Sequence, residues 1–269
     1  PGAATSKSLF SYPGITYLGT EGGAGIAMTK LLVTGVENPV VSVEGSFNGY
    51  TAVNIFVEGN YAYLATTNIG KDVVILDIST LPYTEVGYFN TSRTEHAESV
   101  YVVGTKGYAS AGKYIYIFDL TAKTGKRTQL GYKQIALNEN WGQVDVVSQI
   151  MVRGNYLYGA LNEDWYEMAI VDISNPSNIR ISSQTNVNDH QTTDIWVNEA
   201  GTRAYFGTDS SSQKEFFIVN TTDKNHECPV VGSYDTNGMS IKGLAIIDRD
   251  KRAIVVGYNA EEYQAINII

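Results

Sequence analysis

One seven-residue phrase is written twice in this chain, as VVILDIS from Val73 to Ser79 and as MAIVDIS from Met168 to Ser174. A chain that repeats itself folds as copies of one small unit, and finding the unit has to precede any reading of single strands. The period is about 47 residues. Four segments share one grammar: NIFVEGNYAYLATT from Asn54, SVYVVGTKGYASAG from Ser99, QIMVRGNYLYGALN from Gln149 and DIWVNEAGTRAYFGTD from Asp194. Each alternates apolar residues, turns on a polar or Gly pair, then alternates small and aromatic residues, which predicts a β-hairpin.

A third strand ending in Asp or Asn follows each hairpin, giving a column of Asp77, Asp119, Asp172, Asn220 and Asn267. A side-chain oxygen at that point bonds the backbone two residues on and sets a turn. Fourth strands come next, in YTEVGYF from Tyr83, RTQLGYK from Arg127, NIRISSQ from Asn178 and PVVGSYD from Pro229. The N-terminal part obeys the same grammar, with a hairpin from Ser8, KLLVTGV from Lys30 and PVVSVEGSF from Pro39. At the C-terminal end GLAIIDRDKRAIVVGY from Gly243 and YQAINII from Tyr263 supply three strands.

The expectation is therefore an all-β protein of six repeats, each a four-stranded antiparallel blade, the last lacking its fourth strand, in one domain over 1–269. A closed ring covers the apolar face of every blade, whereas a linear stack leaves two faces bare and needs capping repeats. The β-propeller is the better reading. Composition agrees: charged residues are 17% of the chain, while 19 Tyr and 26 Gly suit strands and tight turns.

The third-strand phrases VVILDIS, IYIFDLT, MAIVDISNP and FFIVNTT resemble the LVIVD-repeat family, and the resemblance runs over nearly the whole chain. It implies a β-propeller, commonly in secreted or surface proteins of bacteria and archaea, with no established common enzymatic activity. The first repeat departs from the motif, carrying Gly35 where the turn Asp is expected.

Aligning the hairpins makes Ser8, Asn54, Ser99, Gln149, Asp194 and Gly243 equivalent, at the start of each innermost strand and facing the expected channel. Small polar residues suit a narrow, wet channel; a ligand or ion there is the alternative. The loops entering two innermost strands carry Glu95-His96-Ala97-Glu98 and Asp189-His190, which could serve as metal ligands or as an acid/base pair, against a reading as hydrogen-bonded loop residues. NEDWYE, Asn162 to Glu167, reads as a solvated hairpin tip rather than a Ca²⁺ or carbohydrate contact, and EGGAGIA, Glu21 to Ala27, as a turn. Asn90 and Asn220 stand in N-x-S/T sequons and are the glycosylation acceptors the sequence permits. Cys228 alone makes no disulfide framework and is expected to be a small packed residue, while His226 is expected at the surface.

No G-x-S-x-G or H-E-x-x-H motif occurs, so no catalytic, metal or cofactor residue is assigned. A net charge of -9 without a Lys/Arg cluster argues against a nucleic-acid partner, and the longest apolar runs are far short of the roughly 20 residues that span a bilayer. A first residue of Pro1 rather than Met is the pattern left when a leading segment is removed. The expected function is an extracellular or cell-surface propeller that binds proteins or assembles with copies of itself, by strand addition at Tyr263–Ile269. The rival expectation is an enzyme at the channel mouth using Glu95, His96, Asp189 and His190.

Overall fold

The computed structural model describes residues 5–21, 26–35, 37–91, 93–136, 146–163, 165–209, 211–247, 251–259 and 265–268. Gly22, Gly23 and Gly25 of the glycine turn, Ser92 of the first sequon, Asp164 of NEDWYE, and Tyr263 and Ile269 lie outside them.

The described strands form six sheets, each following one repeat of the sequence. The first comprises Thr5–Tyr12, Ile15–Glu21, Ile26–Thr34 and Val40–Asn48; the second Ala52–Glu58, Tyr61–Thr66, Val73–Asp77 and Thr84–Phe89. Ala97–Val103, Lys106–Ala111, Tyr114–Asp119 and Gln129–Gln134 make the third, and Val146–Arg153, Tyr156–Asn162, Met168–Asp172 and Arg180–Thr185 the fourth. The fifth contains Thr192–Val197, Arg203–Thr208, Phe216–Asn220 and Val230–Tyr234; the sixth Ser240–Ile247, Arg252–Tyr258 and Ala265–Ile268. Five sheets thus have four strands or more and the sixth has three. Two compact units divide the chain, one of residues 1–111 with 116–130, the other of 112–115 with 131–269.

Two expectations need correction. The first strand starts at Thr5 rather than Ser8, pairing Thr5 with Glu21 and Ser6 with Thr20, because the Thr and Ser there tolerate the extended backbone. The second sheet has a fifth strand, Gly125–Lys126, lying parallel to Thr84–Phe89, since the turn after Asp119 reaches back along that edge.

Local chemistry accounts for the hairpins. Gly59, Gly104 and Gly154 each open a two-residue turn with φ of 60, 59 and 57°, a conformation that costs glycine alone nothing. The second strands are buried on both faces, as in Tyr61–Thr66, Lys106–Ala111 and Tyr156–Asn162, so their Ala and Gly make room beside each Tyr. Core lies between successive sheets. Tyr17 and Met28 meet Ile55, Leu64 and Val74; Tyr158 and Ile170 meet Ile195, Phe206 and Cys228; Tyr205 and Phe216 meet Ile241 and Val255. Cys228 is buried and free, and burial pushes its thiol pKa up.

The column of turn residues performs as its chemistry requires. Asp77, Asp119, Asp172 and Asn220 each accept, on Oδ1, the backbone N–H two residues on, at 2.9, 3.0, 2.9 and 2.9 Å. Asp172→Ala is expected to lower the urea midpoint by about 0.3 M, whereas Asp172→Asn leaves it unchanged, since an amide already does this work at Asn220. An alanine variant with the parent's midpoint would remove the column from the list of stabilising contacts.

A second device recurs on the outer strands. Each of four carries a bulge one residue before a Gly or Ser, at Glu44, Val86, Ser182 and Val231, which precede Gly45, Gly87, Ser183 and Gly232. The turn between third and fourth strands of the following sheet docks at that small residue. A Cβ on Gly45 would stand 2.5 Å from Leu81 Cδ2, one on Gly87 2.2 Å from the Lys123 carbonyl oxygen, and one on Gly131 1.9 Å from the Pro176 carbonyl oxygen. At Ser183 the hydroxyl donates to the His226 carbonyl oxygen at 2.6 Å, with Cys228 Sγ beside it at 3.9 Å. Backbone approach this close explains why the outer strands keep Gly where β-propensity disfavours it.

Candidate functional site

Ser8, Asn54, Ser99, Gln149, Asp194 and Gly243 occupy one structural position. Each immediately follows a one-residue register shift on its innermost strand, the shifted residues being Lys7, Val53, Glu98, Ser148, Thr193 and Lys242. A bulge interrupts the ladder and leaves backbone groups in need of partners. Side chains of this position supply them across neighbouring sheets. Asn54 Oδ1 accepts the Val100 N–H at 3.2 Å, and Asp194 Oδ2 accepts the Leu244 N–H at 2.9 Å. Asp194 Oδ1 also takes the Ile195 N–H at 2.9 Å, and the Gln149 side chain bonds to the same carboxylate. Burial pushes the Asp194 pKa up to about 6 against these bonds, the largest cause being desolvation.

Three further carboxylates form a column that the sequence reading missed. Asp72, Glu167 and Glu215 each stand directly before a third strand and are fully buried. Each accepts the backbone N–H two residues past its own sheet's outer strand: Thr91 to Asp72 Oδ2 at 2.6 Å, Val187 to Glu167 Oε2 at 2.7 Å, and Thr236 to Glu215 Oε2 at 2.8 Å. The solvated tip expected at NEDWYE is therefore overturned for Glu163 and Glu167, which have no exposed surface, while Trp165 is exposed. Buried acids remain where backbone N–H groups converge on them. Their signal in the sequence was an acid at the same place in three repeats.

The histidine loops follow from this wiring. Glu167 Oε1 accepts the His190 N–H at 3.0 Å, so residues 187–190 wrap its carboxylate and Asp189 is held at φ 57°. Asp189 itself accepts from the Asn186 amide at 2.6 Å. In the other unit His96 Nε2 lies 3.1 Å from Glu98 Oε1, while Glu95 is exposed, and burial raises the Glu98 pKa with His96 pulling it down. His96 and His190 belong to different compact units. Among the described residues no group of three or more His, Cys, Asp or Glu could hold a metal ion. His226 is exposed and pairs with Asp223 at 2.8 Å.

Of the two sequon residues, Asn220 is partly buried and committed to its turn. Asn90 lines an open groove of about 360 Å³ with Lys126, Arg127, Thr128 and Gln129.

Comparison with known proteins bears on the fold. Residues 49–91 and 146–187 match the LVIVD repeat. In three dimensions the chain is similar to a protein in the crystal structure of the mitotic checkpoint complex, at 9% identity and a TM-score of 0.74 over 99% of this chain and 75% of that one. It is similar also to the Cps50 (Swd1) β-propeller domain of Myceliophteria thermophila, at 10% identity and a TM-score of 0.66 over 100% and 96% of the two chains. The computationally designed Ika8 protein matches at 11% identity and a TM-score of 0.64 over 98% and 71%. No curated protein matches the chain. Identities this low establish architecture and nothing of activity. The fold is a β-propeller of antiparallel, mostly four-stranded blades, and the chain carries LVIVD repeats on it.

Proposed function

We propose that this chain is a non-catalytic, six-bladed, extracellular or cell-surface propeller that binds protein by accepting a foreign β-strand, and that copies of itself are among the donors. One observation carries the reading. Among the described residues the sixth sheet has three strands, and Ala265–Ile268 pairs with Arg252–Tyr258 on one side only, whereas the third strand of every other sheet is paired on both. A sheet edge of this kind is a template for another chain: main-chain hydrogen bonds supply affinity and alternate side-chain pockets supply specificity.

Other features support the remainder. The likeness to LVIVD-repeat proteins favours a surface location, and a net charge of -9 disfavours a phosphate backbone as partner. Among the described residues no helix is long and apolar enough to cross a membrane. The catalytic alternative gains no support from the loops, where the His190 backbone rather than its ring does the bonding described above.

Sedimentation velocity over a concentration series tests the proposal, using the parent chain and variants with proline at Ile266 or at Asn267. Successive residues of a strand point their N–H groups to opposite sides, so one of these prolines blocks the free edge while sparing the pairing with Arg252–Tyr258. Association by the parent, abolished by one of the two prolines, is the expected result. A strictly monomeric parent, or association indifferent to both, would end the strand-addition reading.

A further inference from the structure

We propose that the open groove at the outer edge of the second sheet, lined by Asn90, Lys126, Arg127, Thr128 and Gln129, binds an acidic sugar, a pyranose ring that carries a carboxylate. The site is separate from the strand edge of the sixth sheet, and either can fail without the other.

The groove follows from a departure from the repeat. Among the described sheets only the second has a fifth strand. Gly125, at φ 70°, turns the chain so that Gly125–Lys126 runs parallel to Thr84–Phe89, pairing Gly125 with Gly87 and Lys126 with Tyr88. Connecting segments added to a rigid scaffold are where binding residues concentrate. Main-chain bonds pin this one on both sides. The Arg127 N–H donates to the Tyr88 carbonyl oxygen at 2.7 Å, and the Thr128 carbonyl oxygen accepts the Asp119 N–H at 2.9 Å. The Arg127 guanidinium is braced by the carbonyl oxygens of Ala122 and Lys126, and Asn90 directly follows the outer strand. The lining side chains therefore project from backbone that is already fixed, which a binding site needs.

Their chemistry selects the ligand. A volume of about 360 Å³ lies toward the small end of the roughly 300–1,000 Å³ range of ligand pockets. Most such pockets are walled by apolar and aromatic side chains, and this one has none: cations, amides and a hydroxyl make up the lining. A molecule seated here must be polar over its whole surface, which suits the hydroxyls of a sugar and not an aliphatic chain or the flat body of a nucleobase. It must also be anionic. Among the described residues no carboxylate lines the groove, and the segment Leu120–Leu130 holds Lys123, Lys126 and Arg127 and no acid, in a chain whose net charge is -9. Lys123 is engaged elsewhere, over the Tyr61 and Tyr63 rings at 5.9 and 5.7 Å. Asp119, the acid closest to the segment in sequence, accepts the N–H and the hydroxyl of Thr121 at 3.0 and 2.8 Å and lies outside the lining. Lys126 is exposed, and its ammonium has no hydrogen-bond or ion-pair partner among the described residues. An ammonium beside a planar guanidinium matches the two oxygens of a carboxylate.

Titration of the isotope-labelled chain with sodium glucuronate, followed by two-dimensional NMR, tests this. The expected result is a saturable shift of the amide signals of Asn90 and of Lys126 to Gln129, with glucose, the same ring bearing a hydroxymethyl group instead of the carboxylate, binding at least about tenfold more weakly. Lys126→Glu is expected to weaken glucuronate binding at least about tenfold and Gln129→Ala about threefold. Lys251→Glu, the same charge change in the other compact unit, should leave it unaltered. All three positions are exposed, so the variants keep the fold, and the signals away from the groove check that they do. Equal losses from Lys126→Glu and Lys251→Glu would reduce the effect to the field of the whole chain and overturn the site. Glucose binding as tightly as glucuronate would overturn the requirement for charge. Sodium sulfate binding as tightly as glucuronate would overturn the sugar, and unmoved signals at those amides would overturn the groove itself.

Discussion

Glu167→Ala is expected to destabilise the fold by about 3 kcal/mol, because it strands the Val187 and His190 N–H groups, each worth roughly 1–3 kcal/mol when buried without an acceptor. For a chain of this size that is a fall in melting temperature of roughly 6–10 °C. Glu215→Ala should behave alike, since its carboxylate accepts both the N–H and the hydroxyl of Thr236, at 2.8 and 2.9 Å, and Ser211 besides. An exposed acid, Glu199→Ala, is the control and should stay within about 0.5 kcal/mol of the parent. Calorimetry of the three variants decides the matter. A Glu167 variant that melts with the control would mean that water takes over the carboxylate's bonds at no cost.

The same carboxylates mark the limit of what the sequence discloses. Strand order, hairpin turns and the Asx column were legible because each is a local device: Asp77 bonds to Ser79, and Gly59 turns its own hairpin. Placing Ser8, Asn54, Ser99, Gln149, Asp194 and Gly243 in one column was also legible, and the shared bulge shows why the alignment holds. Glu167 was not, because the groups that bury it, Val187 and His190, lie 20 and 23 residues on, across the whole of the next two strand segments. An acid flanked by Trp165 and Tyr166 looks solvated until those N–H groups are in place. Gly87 and Gly131 posed the same difficulty, since what fills their space is the backbone of another repeat. Periodicity thus reveals the blade, while the contacts that join blade to blade appear only once the blades are stacked.

Asp194 gives the pH dependence that should be largest among the innermost-strand residues. Its native carboxyl titrates near 6, while an unfolded Asp titrates near its ordinary value of about 3.9. Between those values the native state binds more protons than the unfolded one, so this group's contribution falls as pH rises. Below about pH 4 both states are protonated and no penalty exists; above about pH 6 both are ionised and the full penalty applies, on the order of 2 kcal/mol after allowance for partial exposure. Asp77, Asp119, Asp172 and Asp223 slope the other way, since hydrogen bonds hold their pKa values low and that stabilisation is lost as pH falls. The total curve therefore mixes signs, and only a difference isolates Asp194. Asp194→Asn keeps an oxygen for the Leu244 N–H, as Asn54 does for Val100, and removes the titration. Urea denaturation at steps from pH 4 to 7 should show the variant gaining on the parent by about 2 kcal/mol across that range. Parallel curves for the two proteins would mean that Asp194 ionises at an ordinary pH and that the innermost strands hold no strained charge.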